Sequence, residues 1–209
     1  RASCSLTTVI LASLLLASGP APLRAEWAAD GTPICTAVQV QDYSVVLPSG
    51  DGGVFIVWRD GRNHPDTEQY AQKLDLDGSR RWEVDGRRIG PERFFWRSPS
   101  FIADGEGGIL AMYIILRDED YLDTDLYVQK VDAEGARQWP DSGMAVCRVA
   151  PTQSSPVFVT DGAGGCIVAW SDRRTGNTDI YAQRLDRSGN RLWGDNGVPI
   201  CTAPESQLT

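Results

Sequence analysis

The chain has 209 residues, 42% of them hydrophobic and 23% charged, with 21 Gly, 12 Pro and a single His. That composition excludes collagenous, coiled-coil and multi-span membrane classes. Twenty basic against 28 acidic residues leave a net charge of -8, which disfavours a generic nucleic-acid or anionic-membrane surface.

The first element in chain order is the uncharged apolar run Leu6 to Ala17, 12 residues long, followed by Ser18, Gly19 and Pro20 and then by APLRA ending at Ala25. A membrane-spanning helix needs about 20 apolar residues. The shorter run, the Pro/Gly break and the terminal Ala predict a secretory signal peptide over residues 1–25, with a short buried core helix as the alternative. Leu23, three residues before Ala25, is a less usual choice there than Ala. The sequence does not begin with Met, and Arg1 is the only charge ahead of the apolar run. Loss of residues 1–25 removes Arg1 and Arg24 and no acid, so the exported part carries a net charge of -10 and no further apolar span. The expected location is outside the cell or on its surface, with the periplasm as another possibility.

Residues 26–209 are built on a repeat. Trp27, Trp82, Trp139 and Trp193 are spaced 55, 57 and 54 residues apart, and each is followed four residues later by a glycine: Gly31, Gly86, Gly143 and Gly197. A second block recurs as EQYAQKLDLDGSRRW, DLYVQKVDAEGARQW and DIYAQRLDRSGNRLW, ending at Trp82, Trp139 and Trp193. A third recurs as SGDGGVFIVW, DGEGGILAMY and DGAGGCIVAW. The units run over about 27–81, 82–138 and 139–192, with a partial unit at 193–209.

Within each unit the segment after the Gly-Gly pair is β-branched and aromatic and predicts a largely buried strand. YAQKLD and its copies alternate apolar with polar residues, the pattern of a half-exposed strand. Glycine-rich turns separate these segments at hairpin spacing. With PVFV (Pro156 to Val159) ahead of one Gly turn and VPIC after the last Trp, each unit holds about four short strands. No segment of the exported part has a convincing helical period. The expected fold class is all-β, with β-propeller-like repeats of four-stranded antiparallel blades. About three blades are present. An immunoglobulin-like domain of about 100 residues fits the period poorly. Three blades do not close a ring of the usual four to eight, so further blades or chains are expected, through a longer natural chain or an oligomer.

The block Y-A-Q-x-L-D-x-x-G-x-x-x-W resembles the tryptophan-docking motif of quinoprotein-type propellers. The matching residues are Ala71, Lys73, Asp75, Gly78 and Trp82 in one copy and Ala182, Asp186, Gly189 and Trp193 in another. The middle copy, with Gly135 and Trp139, has Val128 in place of Ala. The resemblance implies that each indole sits between neighbouring blades. Over residues 27–209 the unit is also similar to a repeat of secreted bacterial surface proteins, with W-x-D-x-R after one strand and D-I-Y-A-Q-R-L-D on the next. Both resemblances speak to blade architecture and are nearly silent on activity.

Four cysteines remain after residue 25. Cys35, Cys147 and Cys201 each lie eight residues after a repeat Trp, so equivalent copies are related by the blade rotation and are too far apart to pair within the about 7 Å between Cα atoms that a disulfide allows. Small buried thiols are expected, with a bridge between Cys147 and Cys166 left open. No C-x-x-C or Cys/His cluster suggests a metal site.

Two candidate sites follow. Asp60 with Arg62 and Asp172 with Arg174 end the central strand in two copies. They could form ligand contacts on one propeller face, although an Asp-Arg pair that fixes its own loop explains both residues more simply. The middle copy has Ile115 and Arg117 instead. Its loop RDEDYLDTD carries Asp118, Asp120, Asp123 and Asp125, oxygen ligands suited to Ca²⁺, but the spacing departs from the known calcium loop and a solvated acidic loop is the simpler reading.

His64 is the lone imidazole, and no nucleophile elbow, zinc-protease helix or phosphate loop is present. The Gly turns lead into strands and not helices, which leaves them without a helix N-terminus to bind phosphate. The expectation is therefore a secreted, non-catalytic scaffold or binding module for an extracellular protein or glycan, with no nucleic-acid partner and no resident cofactor other than that calcium. The alternative is part of a propeller enzyme, either a quinoprotein-like dehydrogenase or a glycosidase.

Overall fold

The computed structural model describes residues 30–63, 67–91, 100–116, 124–150, 153–205 and 207. The predicted leader lies outside them, as do Trp27, His64 and Trp96. The described chain is all-β, in three four-stranded antiparallel sheets that form propeller-like blades. Blade 1 comprises β1 (Gln41–Pro48), β2 (Val54–Asp60), β3 (Glu68–Leu74) and β4 (Arg87–Arg88). Blade 2 comprises β5 (Ser100–Ala103), β6 (Ile109–Leu116), β7 (Thr124–Val131) and β8 (Met144–Cys147). Blade 3 comprises β9 (Gln153–Thr160), β10 (Cys166–Asp172), β11 (Asp179–Leu185) and β12 (Val198–Cys201). Strands follow one another across each sheet in chain order.

The Trp-to-Trp period runs out of phase with the sheets. Trp82, Trp139 and Trp193 each end the turn between the third and fourth strands of their own blade, so Trp193 and β12 complete blade 3. The same register recurs in each: Ala71 pairs with Arg87, Val128 with Met144 and Ala182 with Val198.

Two hydrophobic layers hold the blades together, and β6 serves both. Its odd-numbered Ile109, Ala111 and Tyr113 join Phe55, Val57, Trp82 and Ile89 against blade 1. Its even-numbered Leu110 and Met112 join Val146, Val168 and Trp170 against blade 3. Side chains alternate across a strand, so one sheet between two others needs apolar residues on both faces, as the uninterrupted run ILAMYIIL supplies.

The third strands differ from the half-exposed pattern expected of YAQKLD: β3 is buried along its whole length. Its polar face is covered because the glutamines are bonded inside. Gln72 Oε1 accepts from the amides of Lys73 (3.0 Å) and Trp82 (2.9 Å), while its Nε2 donates to Glu83 O at 2.7 Å. Gln129 and Gln183 repeat the clamp on Trp139 and Trp193.

The clamped indoles reach across to the next blade. Trp82 Nε1 donates to Ala133 O at 3.1 Å and Trp139 Nε1 to Arg187 O at 3.4 Å. The receiving turns contain Gly135 and Gly189, with φ of 83° and 84°. A Cβ on Gly135 would lie 2.9 Å from the Trp82 ring, and one on Gly189 3.1 Å from that of Trp139. Gly78 has the same conformation in blade 1. Trp193 is only half-buried, and Ile200 is 61% exposed where its counterparts Ile89 and Val146 are fully buried, so the far face of blade 3 is open.

Candidate active site

A concave site of about 480 Å³ lies between blades 2 and 3, lined by Asp104, Glu106, Lys130, Asp132, Ala133, Glu134, Gln138 and Arg187. Asp104 and Glu106 come from the turn joining β5 to β6, the next five residues from the end of β7 and the turn that follows it, and Arg187 from the matching turn of blade 3. Asp104 is fixed by that turn: its Oδ1 accepts from the amides of Glu106 (2.7 Å) and Gly108 (2.8 Å). Lys130 Nζ, on a side chain 7% exposed, lies 2.8 Å from Glu106 Oε2 and 3.6 Å from Asp104 Oδ2, and donates to Gly164 O in blade 3 at 2.7 Å. Glu106 also pairs with Arg187, which makes it a carboxylate held between two cations from two blades.

Asp132 is likewise a turn residue. Its Oδ1 accepts from the amides of Glu134 (3.1 Å) and Ala136 (2.8 Å), and its Oδ2 from Gln138 Nε2 at 2.5 Å. Glu134 projects from the same turn and is exposed at the rim. Four carboxylates in three settings therefore share one cleft: two tied into backbone turns, one bridged by cations, one facing solvent.

The residues expected at a ligand site lie elsewhere and are turned inward. Asp172 is fully buried. It accepts from Trp170 Nε1 at 2.8 Å and from Arg174 N and Nε, both at 2.9 Å. Burial pushes its carboxyl up, but the bonds from Arg174 and Trp170 outweigh burial and hold it below the usual carboxylate range. Arg174 stacks 3.9 Å from the Tyr181 ring centroid and reaches Cys147 Sγ (3.3 Å) and Asn196 O (3.0 Å). Asp60 and Arg62 repeat this arrangement with Trp58, Tyr70, Cys35 and Asp85. The two stations are separate, one in blade 1 and one in blade 3.

Of the expected calcium ligands, Asp118, Asp120 and Asp123 lie outside the described residues. Asp125 sits on β7 opposite Ile115, with Arg148 Nε 3.7 Å from its Oδ2. Among the described residues no group of three or more His, Cys, Asp or Glu is placed to hold a metal ion. Cys35, Cys147, Cys166 and Cys201 are free thiols.

Sequence reasoning did not single out the Lys130 cleft or the glutamine clamps. The signal for the clamps was the Gln shared by YAQ, YVQ and YAQ, which strand alternation assigns to solvent. Nothing local marks the cleft, since Glu106 and Arg187 stand in variable turn positions of different copies.

No family model matches the chain, and no curated protein matches it. Among solved structures, an endo-arabinase from Bacteroides thetaiotaomicron is similar over 76% of this chain and 61% of its own, at 16% identity and a TM-score of 0.42. A thermostable family-43 glycoside hydrolase is similar over 76% of this chain and 56% of its own, at 8% identity and a TM-score of 0.43. This chain thus spans less than two thirds of the length of either enzyme. Both neighbours are glycoside hydrolases, the class of the alternative expectation and not of a non-catalytic scaffold or binding module.

Proposed function

We propose that the chain belongs to a propeller enzyme that hydrolyses glycosidic bonds, with the cleft between blades 2 and 3 as its reacting site. The observation that supports this reading is the pairing of two differently placed carboxylates in one cleft of about 480 Å³. Glycoside hydrolysis needs one carboxyl group to protonate the leaving oxygen and one ionised carboxylate on the other side of the sugar. Glu134, at the solvent-facing rim, has the position for the acid. Glu106, between Lys130 and Arg187, has the position for the ionised partner. Arg187 offers further guanidinium donors, and Gln138 a side-chain carbonyl acceptor, for sugar hydroxyls. The apolar leader predicted over residues 1–25 would place this activity outside the cytoplasm.

The test is reducing-sugar release from linear arabinan and xylan, and p-nitrophenol release from the arabinofuranoside and the xyloside. Glu106→Gln and Glu134→Gln should each lower kcat by about 100-fold or more with unchanged circular dichroism. A folded native chain that turns over none of these substrates overturns the proposal, as does full activity in both variants.

A further inference from the structure

The segment Thr32–Cys35 carries the sequence of a fourth strand. TPIC aligns with VPIC of β12 (Val198–Cys201), each eight residues downstream of its repeat Trp at the cysteine. It is also held where a fourth strand is held. In blade 3, Arg174 reaches Cys147 Sγ on the fourth strand of blade 2 at 3.3 Å, and the Arg148 amide donates to Asn196 Oδ1 at 3.3 Å. In blade 1, Arg62 reaches Cys35 Sγ at 3.3 Å, and the Thr36 amide donates to Asp85 Oδ1 at 2.8 Å. Cys35 and Thr36 therefore stand against blade 1 as Cys147 and Arg148 stand against blade 3. What differs is the other side. β8 and β12 are hydrogen-bonded to third strands of their own sheets, whereas residues 30–37 belong to no strand of any described sheet.

We infer that Thr32–Cys35 is a docking edge for a three-stranded blade of this same repeat, which it completes as the outer strand. The occupant's chemistry is set by register. Ile180 pairs with Cys201, Tyr181 with Pro199 and Ala182 with Val198. The incoming third strand therefore reads D-x-Y-A-Q, with its Tyr opposite Pro33 and its Ala opposite Thr32. Pro33 has no amide to donate, a property tolerated in outer strands and matched by Pro199. Strand addition of this kind takes its affinity from main-chain hydrogen bonds. A second intact copy of the chain is a poor occupant, because β3, β7 and β11 are each already paired with a fourth strand.

The probe is a peptide of residues 150–191, which holds β9 to β11 and lacks β12. Added to the native chain, it should give a one-to-one complex in sedimentation velocity. It should also slow hydrogen exchange at the Ile34 and Cys35 amides by about tenfold or more. Ile34→Asp should abolish both effects. Because the free peptide can remain unfolded, a second arm joins the same residues through a flexible linker after Thr209, and protection of Ile34 and Cys35 is expected there too. Absence of protection in both arms overturns the inference. So does equal protection in Ile34→Asp, or a native chain that protects these amides by dimerising without peptide.

Discussion

The indole of Trp139 lies against Gly189 of the following blade, with Nε1 3.4 Å from the carbonyl of Arg187. Gly189 has φ of 84°, and a methyl group there would come within 2.5 Å of Met144 Cγ. Gly189→Ala should therefore cost more than the about 1–2 kcal/mol of a left-handed residue alone. Gly162→Ala, at φ of 74° with nothing within 4 Å, should cost only that backbone amount. Trp139→Ala, which also empties the joint, should cost about 3–5 kcal/mol. Urea midpoints for the three variants check the order.

Gln129→Leu keeps much of the side-chain volume but leaves the amides of Lys130 and Trp139 and the carbonyl of Pro140 without their buried partner. Each buried group left unsatisfied costs about 1–3 kcal/mol. The variant should lose at least about 2 kcal/mol, and the Trp139 emission should shift to the red as its turn loosens. Gln129→Glu at acidic pH, where the carboxyl can still donate one bond, should recover part of the loss.

Acid should weaken the chain through Asp60 and Asp172. Both carboxyls are held below their ordinary range: burial raises them, and the bonds from Arg62 or Arg174 and from Trp58 or Trp170 overcome it. A depressed folded value means that the stabilisation is fully present above the unfolded value, about 3.9. It is then lost as pH falls from there through the folded value. Stability measured by urea midpoint should thus be level from pH 7 to pH 5 and fall below pH 4. Asp172→Asn should cost about 3–5 kcal/mol at pH 7, since it strands a buried guanidinium, and should flatten the acid limb.

Thiol labelling should separate the four described cysteines. Burial pushes Cys166 up to about 12 and raises Cys147 and Cys35, but Cys35 and Cys201 are partly exposed and the other two are buried. Only the thiolate reacts. At pH 8, Cys201 and Cys35 should be alkylated before Cys147 and Cys166, with the last pair labelled at the rate of unfolding. Mass spectrometry of timed digests gives the order.

The repeat made the strands legible, because glycine turns and tryptophans recur with one period and the segments between them follow strand chemistry. The blade boundary was not legible, since Trp82 and its copies mark an internal turn as conspicuously as they would a border. The polar face of β3 was misjudged for a physical reason. Alternation cannot distinguish a glutamine that meets water from one that bonds two amides of the next turn. The cleft around Lys130 was hidden more deeply. It forms only when a turn of blade 2 meets a turn of blade 3, and Glu106 and Arg187 are 81 positions apart.

The joints made by Trp82 and Trp139 are directional and alike, each indole donating its Nε1–H to the glycine turn ahead of it. An in-frame genetic exchange that gains or loses one whole unit of 54–57 residues would bring an existing tryptophan against an existing glycine turn and leave every other joint unchanged. Gain or loss of a complete unit would therefore preserve the tryptophan-to-glycine joints. A partial unit would strand one indole and one turn, and selection would meet it as a folding defect.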